Sequence, residues 1–323
     1  MSEIRLTPGY IARHTPPGAG AQGRDAAIVD IAQDLLLREL HRKGVLDRLA
    51  FKGGTALRKL YAGTAGRFSL DLDFSVAQVD DDPDDVMAEV IAAADGLSVG
   101  PFAYHVVERR GKWNVTYDHT LGGEQVALTS KLDISPPPWL PPVRRGWVPL
   151  PIHQQYGEPK LPDILVVPLI ENLAEKVSRL NRTTTARDMY DLAWIATNPA
   201  AVGPFDEGLL RRLAVLKVWV DANGVRAGRT FWKPSHEGPA FDVLRWLRLR
   251  TPQEIDIEDI GALSVPVPTA KELAETVTSR FRFLADMDET EEVIAQANER
   301  DRALVLHELT HLPGYRLDGM SLY

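Results

Sequence analysis

Between Arg67 and Val76 the chain alternates: Leu70, Leu72 and Phe74 fall on one side, while Ser69, Asp71, Asp73 and Ser75 fall on the other. A period of two predicts a half-buried strand whose wet face is acidic. Asp71 and Asp73 then point the same way, their roots about 7 Å apart, and repel each other unless something positive neutralises them. Such a pair can share a cation, and hard oxygen donors select Mg²⁺ or Mn²⁺, ions that keep some waters and bridge phosphates. Taken alone, the same pattern also describes an ordinary exposed strand face.

Its neighbours sharpen the choice. Residues 24–43 place Ile28, Ile31, Leu35, Leu36 and Leu40 at helical spacing, which predicts an amphipathic helix with one buried face, stopped near Gly44. A short apolar piece leads to Gly53-Gly54 and a helix capped by Thr55. Glycines before a helix leave backbone N–H groups and the helix dipole open to phosphate oxygens, although the pair can equally be a plain turn. Strands are predicted over 102–107, 113–119 and 125–135, the last presenting Lys131 and Asp133 on one face. Asp133 is a candidate third carboxylate for the same metal, or an edge charge.

A helix is predicted over 82–95, and a proline-rich loop over 136–142 ends regular structure. Helical pattern resumes over 168–181 and 186–196, then over 207–221, 269–285 and 289–311. Lys176 lies on the first of these, where it can aim an ammonium group at a triphosphate or merely be solvated. Asp188 and Asp191 share a face of the second. A cap and a surface ion pair are the plain alternatives.

A 323-residue chain that is 44% hydrophobic and 25% charged has the balance of a globular protein large enough for two cores. Domains are expected at 1–198 and 199–323. The net charge of −8 argues against a surface that wraps nucleic acid everywhere but permits a local basic groove. Candidate clusters are Arg109/Arg110/Lys112, Arg144/Arg145, Arg179/Arg182/Arg187, Arg211/Arg212/Lys217 and Arg226/Arg229/Lys233. The chain lacks cysteine and has no apolar run at its N-terminus fit for a signal peptide or a membrane span, so the cytoplasm is the expected location.

Five segments in series carry a family resemblance: Phe51-Lys52-Gly53-Gly54-Thr55-Ala56-Leu57, then Arg67-Phe68-Ser69-Leu70-Asp71-Leu72-Asp73-Phe74, then Lys131-Leu132-Asp133-Ile134-Ser135, Leu173-Ala174-Glu175-Lys176 and Arg187-Asp188-Met189-Tyr190-Asp191-Leu192. In order and spacing the chain resembles the AbiEii-like nucleotidyltransferases, among them the AbiE toxins and the mycobacterial MenT toxins, over about residues 25–197. The resemblance implies an α+β fold: a nucleotidyltransferase core with a mixed sheet, then a mainly helical C-terminal domain, with substrate held between them. It implies transfer of a nucleoside monophosphate from an NTP, in some members to the 3′ end of tRNA, by a toxin with a cognate antitoxin. By position, Asp71 and Asp73 would hold the metal, with Asp133 as third ligand. Gly53, Gly54 and Thr55 would cradle phosphate, Lys176 would bind the triphosphate, and Asp188 would complete the site, with the base as a candidate role. Ser69, on the expected strand face of Asp71, is a candidate for phosphate contact or self-modification; a structural hydroxyl is the alternative.

A second motif competes. His307-Glu308-Leu309-Thr310-His311-Leu312-Pro313-Gly314 fits the zinc-protease pattern H-E-x-x-H-x-x-G, with Glu308 as general base. Leu317 occupies the third-ligand position of the longer pattern, and Pro313 should end the helix near His311. The alternatives to the transferase are therefore a zinc metalloprotease and a non-catalytic nucleotide- or protein-binding module on the same scaffold.

Overall fold

The computed structural model describes residues 3–121, 128–157, 160–182, 185–223, 255–315 and 317. They form two compact units, one of Met1–Pro138, Pro142–Val167 and Gly261–Pro266, the other of Trp139–Pro141, Pro168–Ile260 and Val267–Tyr323. This division falls at residues 167 and 168, whereas the pattern-based boundary lies at 198 and 199. The expected Arg226/Arg229/Lys233 cluster lies outside the described residues. Among those residues no helix is long and apolar enough to cross a membrane.

The first unit is built on a mixed sheet of β1 (Leu49–Lys52), β2 (Leu72–Val76), β3 (Ser98–Val99), β4 (Phe102–Arg109), β5 (Lys112–His119), β6 (Leu128–Ser135), β7 (Val143–Arg145) and β8 (Ile164–Val166). Their spatial order is β3-β4-β5-β6-β2-β1-β8-β7. Among the described residues, only β1–β8 and β2–β6 are parallel pairs. Helices α1 (Pro8–His14), α2 (Gly20–Arg42), α3 (Gly53–Leu57) and α4 (Pro83–Ala94) complete the unit. Asp82 caps α4 by accepting from the amides of Asp84 and Asp85, a local satisfaction of free helix N–H groups. At the sheet centre Phe51 opposes Phe74 in register, and their rings stack with centroids 5.0 Å apart. The α+β class with a mixed sheet is as expected.

Three expectations change in detail. The acidic strand starts at Leu72, so Ser69 and Asp71 precede it, and Leu70 is 50% exposed instead of facing the core. The reason is competition for backbone groups. The amide of Phe68 donates to the Ala262 carbonyl, and the carbonyls of Ser69 and Asp71 accept from Gln33 Nε2 and Thr55 Oγ1, so this stretch is fastened by other partners than a strand ladder. Ser69 is therefore buried ahead of the strand, so the strand face it was expected to share with Asp71 is not formed there. Second, α2 is buried on every side from Ala27 to Leu40, including Asp30, Gln33, Asp34, Arg38 and Glu39, so it has no single buried face. Third, the helix after β1 begins at Gly53 with no side-chain cap, because the Thr55 hydroxyl is used elsewhere.

The second unit is helical: α5 (Leu169–Arg182), α6 (Ala186–Thr197), α7 (Pro199–Val202), α8 (Glu207–Asn223), α9 (Ala270–Arg280), α10 (Glu289–Ala295) and α11 (Arg302–Thr310). Leu173, Val177 and Leu180 of α5 and Leu213, Leu216 and Trp219 of α8 are buried, and the two helices pack together. Capping boxes start α9 at Thr269/Glu272 and α10 at Asp288/Glu291. The single helix expected over 289–311 is broken after α10, where Ala297 adopts φ 52°, a left-handed conformation that interrupts a right-handed helix.

Candidate active site

In the first unit, β1 and β2 bring the glycine turn to the acidic pair. Lys52 opposes Asp73 across the antiparallel ladder, so the next residue, Gly53, stands beside the Asp73 carboxylate. Gly53 has φ +79°, and a Cβ built on it would sit 2.6 Å from Asp73 Oδ2. Both conformation and space therefore demand glycine here. Thr55 Oγ1 donates to the Asp71 carbonyl oxygen, fixing the chain where it enters β2. Thr55 thus holds the segment that carries Asp71, a job that sequence reasoning had not given it.

Parallel strand β6 supplies the third carboxylate. Asp73 and Asp133 are register partners, as are Ser75 and Ser135, whose hydroxyls lie 3.1 Å apart. In-register neighbours share a sheet face about 4.8 Å apart. Asp133 also pairs with Lys131 at 3.7 Å. No described side chain pairs with the Asp71 carboxylate. Asp71, Asp73 and Asp133 have the donor chemistry that Mg²⁺ or Mn²⁺ takes. Among the described residues, however, no three acidic or histidine side chains stand as a preformed metal cluster. Gly54 is buried behind the turn.

Beneath this turn lies a buried ionic network that the sequence reading missed. The Arg58 guanidinium grips Asp30 with Nε and Nη2, both at 3.1 Å, and lies 3.5 Å over the Phe68 ring. Lys59 Nζ reaches Asp30 Oδ1 at 2.8 Å and Asp34 Oδ1 at 2.5 Å, while the Tyr156 hydroxyl donates to Asp34 Oδ2 at 2.6 Å. His14 contacts Asp30 at 2.9 Å. Burial alone would raise the Asp30 and Asp34 pKa values, but the neighbouring cations Arg58 and Lys59 for the first, and Lys59 for the second, hold them below the usual carboxylate range. Burial and the adjacent Asp34 push the Tyr156 hydroxyl well up. The available signal was Asp30 and Asp34, four residues apart in a strongly apolar helix, followed downstream by Arg58-Lys59.

The other candidate residues belong to the second unit. Lys176 is only 2% exposed, which removes the solvated-lysine alternative. Its ammonium donates to Asp188 Oδ1 at 3.1 Å and Asp191 Oδ2 at 2.8 Å. Thr185 caps α6 and its hydroxyl donates to Asp188 Oδ2 at 2.9 Å, with Arg179 Nη1 at 3.5 Å from the same oxygen. Burial works to raise the Asp188 pKa, yet Lys176 and Arg179 outweigh it and hold the group ionised well below the usual range. Asp191 was read from its spacing with Asp188 but not placed in the site.

The basic clusters divide by partner. Lys217 pairs with Glu171 at 3.0 Å, Arg211 with Glu291 at 2.6 Å, and Arg144 with Asp47 at 3.0 Å. Arg109, Arg110 and Lys112 instead stand exposed on the β4–β5 hairpin.

The family described as "Nucleotidyl transferase AbiEii toxin, Type IV TA system" matches residues 34–267. MenT4, the nucleotidyltransferase toxin Rv2826c from Mycobacterium tuberculosis H37Rv, is 36% identical, with a TM-score of 0.79 over 95% of this chain and 99% of its own. JHP933 from Helicobacter pylori is 16% identical, with a TM-score of 0.41 over 81% of this chain and 92% of its own. No match was found among curated protein sequences. With most of its length matched by the family and by a 36% identical structure, the chain belongs to the AbiEii nucleotidyltransferase toxins.

Proposed function

We propose that this nucleotidyltransferase moves a nucleoside monophosphate from an NTP to the 3′ end of tRNA, with Mg²⁺ or Mn²⁺ held by Asp71, Asp73 and Asp133. The observation that carries the reading is the close fit of Gly53 against Asp73, with Asp133 in register beside it. A divalent ion bound there would neutralise charge that develops on the transferring and leaving phosphates. An RNA hydroxyl attacks the α-phosphorus and loses its proton to solvent water, the bond from that phosphorus to the bridging oxygen breaks, and pyrophosphate leaves. Gly53 and Gly54 let phosphate oxygens approach the main chain, and Thr55 keeps Asp71 in position.

In the second unit Lys176 donates to Asp188 and Asp191, and its role toward the triphosphate rests on its match to the family motif. Asp188 is too strongly stabilised as a carboxylate to be an effective base, so its role here is to orient Lys176. Ser69 keeps a structural role, consistent with its burial. The type IV toxin–antitoxin description of the matching family supports an antitoxin as partner, and an NTP-using transfer onto tRNA would take place in the cytoplasm. The zinc-protease reading is not favoured, since the chain belongs to a nucleotidyltransferase family and Glu308, the general base of that reading, lies 3.7 Å from Arg212.

The test incubates the purified chain with total tRNA, Mg²⁺ and each α-labelled NTP in turn, beside an Asp71→Ala/Asp73→Ala variant. Label should enter RNA with the unaltered chain and not with the variant. Label entering only protein, or nothing, would refute the tRNA assignment.

A further inference from the structure

The last turn of α11 and its C-cap carry His307-Glu308-Leu309-Thr310-His311. Side chains four apart on a helix lie one above the other. Here the two imidazole centroids are 4.1 Å apart with a 45° tilt, and both residues are exposed. Two nitrogens bound to one tetrahedral Zn²⁺ at about 2.0–2.1 Å stand about 3.4 Å from each other, a span that rings stacked this closely can meet by small side-chain rotations.

The hydrogen bonding of His311 prepares it for that role. Its Nδ1 lies 2.7 Å from the His307 carbonyl oxygen. A carbonyl only accepts, so Nδ1 is the donor, which in the neutral ring leaves Nε2 as the nitrogen with a lone pair. This is the arrangement that orients metal-ligating histidines, one ring nitrogen bonded to protein and the other left to the ion. Thr310 Oγ1 donates to the same carbonyl at 2.7 Å, reinforcing the turn. Glu308 is directed to Arg212 and so stands apart from the imidazole pair. Among the described residues no group of three potential ligands exists.

We propose that His307 and His311 form a two-histidine surface chelate for a borderline divalent transition metal such as Zn²⁺, Ni²⁺ or Cu²⁺. Its nitrogen donors select differently from the carboxylate oxygens of Asp71, Asp73 and Asp133. Water fills the remaining positions, so the site binds metal without the catalytic apparatus of a hydrolase.

The experiment titrates Zn²⁺ into the full chain by calorimetry, in excess Mg²⁺ to keep carboxylate sites filled. It compares the unaltered protein with His307→Ala, His311→Ala and Glu308→Ala. One Zn²⁺ should bind the unaltered chain and Glu308→Ala alike, and each histidine variant should bind at least about tenfold more weakly. Because both histidines are exposed, melting temperatures measured without Zn²⁺ should stay unchanged. The proposal is overturned if the unaltered chain binds no Zn²⁺, if the histidine variants bind it equally well, or if Glu308→Ala loses as much affinity as they do.

Discussion

At the residue scale, the tightest constraint is Gly53. Gly53→Ala would meet Asp73 Oδ2 and would force a side chain into φ +79°, costing about 1–2 kcal/mol for the left-handed backbone alone. Thermal unfolding should show that loss, and nucleotide transfer should fall with it as Asp73 is displaced. A Gly53→Ala protein of unchanged stability and activity would mean that this approach is unimportant. Thr55 offers a finer contrast: Thr55→Ser should behave as the parent, while Thr55→Val loses the bond to the Asp71 carbonyl, about 1 kcal/mol, and positions Asp71 less well. Asp71, Asp73 and the glycines were legible because their chemistry is local. The target of the Thr55 hydroxyl was not, since Asp71 lies sixteen residues away and only the fold brings them together.

At the element scale, α2 shows why periodicity misleads. Asp30, Gln33, Asp34, Arg38 and Glu39 look like a wet helix face, yet all are buried. Asp30 and Asp34 meet Arg58, Lys59, His14, His153 and Tyr156, Gln33 meets Ser69 and Ser130, and Arg38 reaches the Tyr156 carbonyl, and no local pattern announces those meetings. Lys59→Met should destabilise the fold by about 3–5 kcal/mol in chemical denaturation, because it leaves Asp30 and Asp34 charged, buried and short of a cation. The same carboxylates set the response to acid. Asp30, Asp34 and Asp188 have folded pKa values below an unfolded value of about 3.9. Their stabilisation is therefore complete above about pH 5 and is lost as pH falls through 3.9 toward the folded values. Melting temperature should be insensitive to these groups at neutral pH and drop steeply below pH 4, less steeply in Asp188→Asn. The helices predicted over 168–181, 186–196 and 207–221 match α5, α6 and α8 to within two residues, because their apolar stripes are local features; α9 ends earlier than predicted, α7 was not predicted, and the break at Ala297 carries no local mark.

At the scale of the whole molecule, a net charge of −8 leaves RNA binding to local basic surface. In the Arg211/Arg212/Lys217 cluster, Arg211 and Lys217 are spent on internal ion pairs, whereas Arg109, Arg110 and Lys112 remain exposed on the β4–β5 hairpin. If this hairpin meets the acceptor, Arg109→Ala/Arg110→Ala should raise KM for tRNA, leave KM for the NTP unchanged, and flatten the salt dependence by about one to two phosphate contacts. Unaltered kinetics would place the RNA elsewhere. Fold class and family were readable at this scale because five short motifs keep their order and spacing.

The most direct measurement is the mass of the tRNA 3′-terminal fragment after reaction with Mg²⁺ and NTP, compared among the unaltered chain, Asp71→Ala and Asp73→Ala, each confirmed folded. The account predicts fragments heavier by nucleoside monophosphate units with the unaltered chain and unmodified fragments with either variant. Equal modification by both variants would show that the transfer chemistry lies away from the Asp71/Asp73 pair.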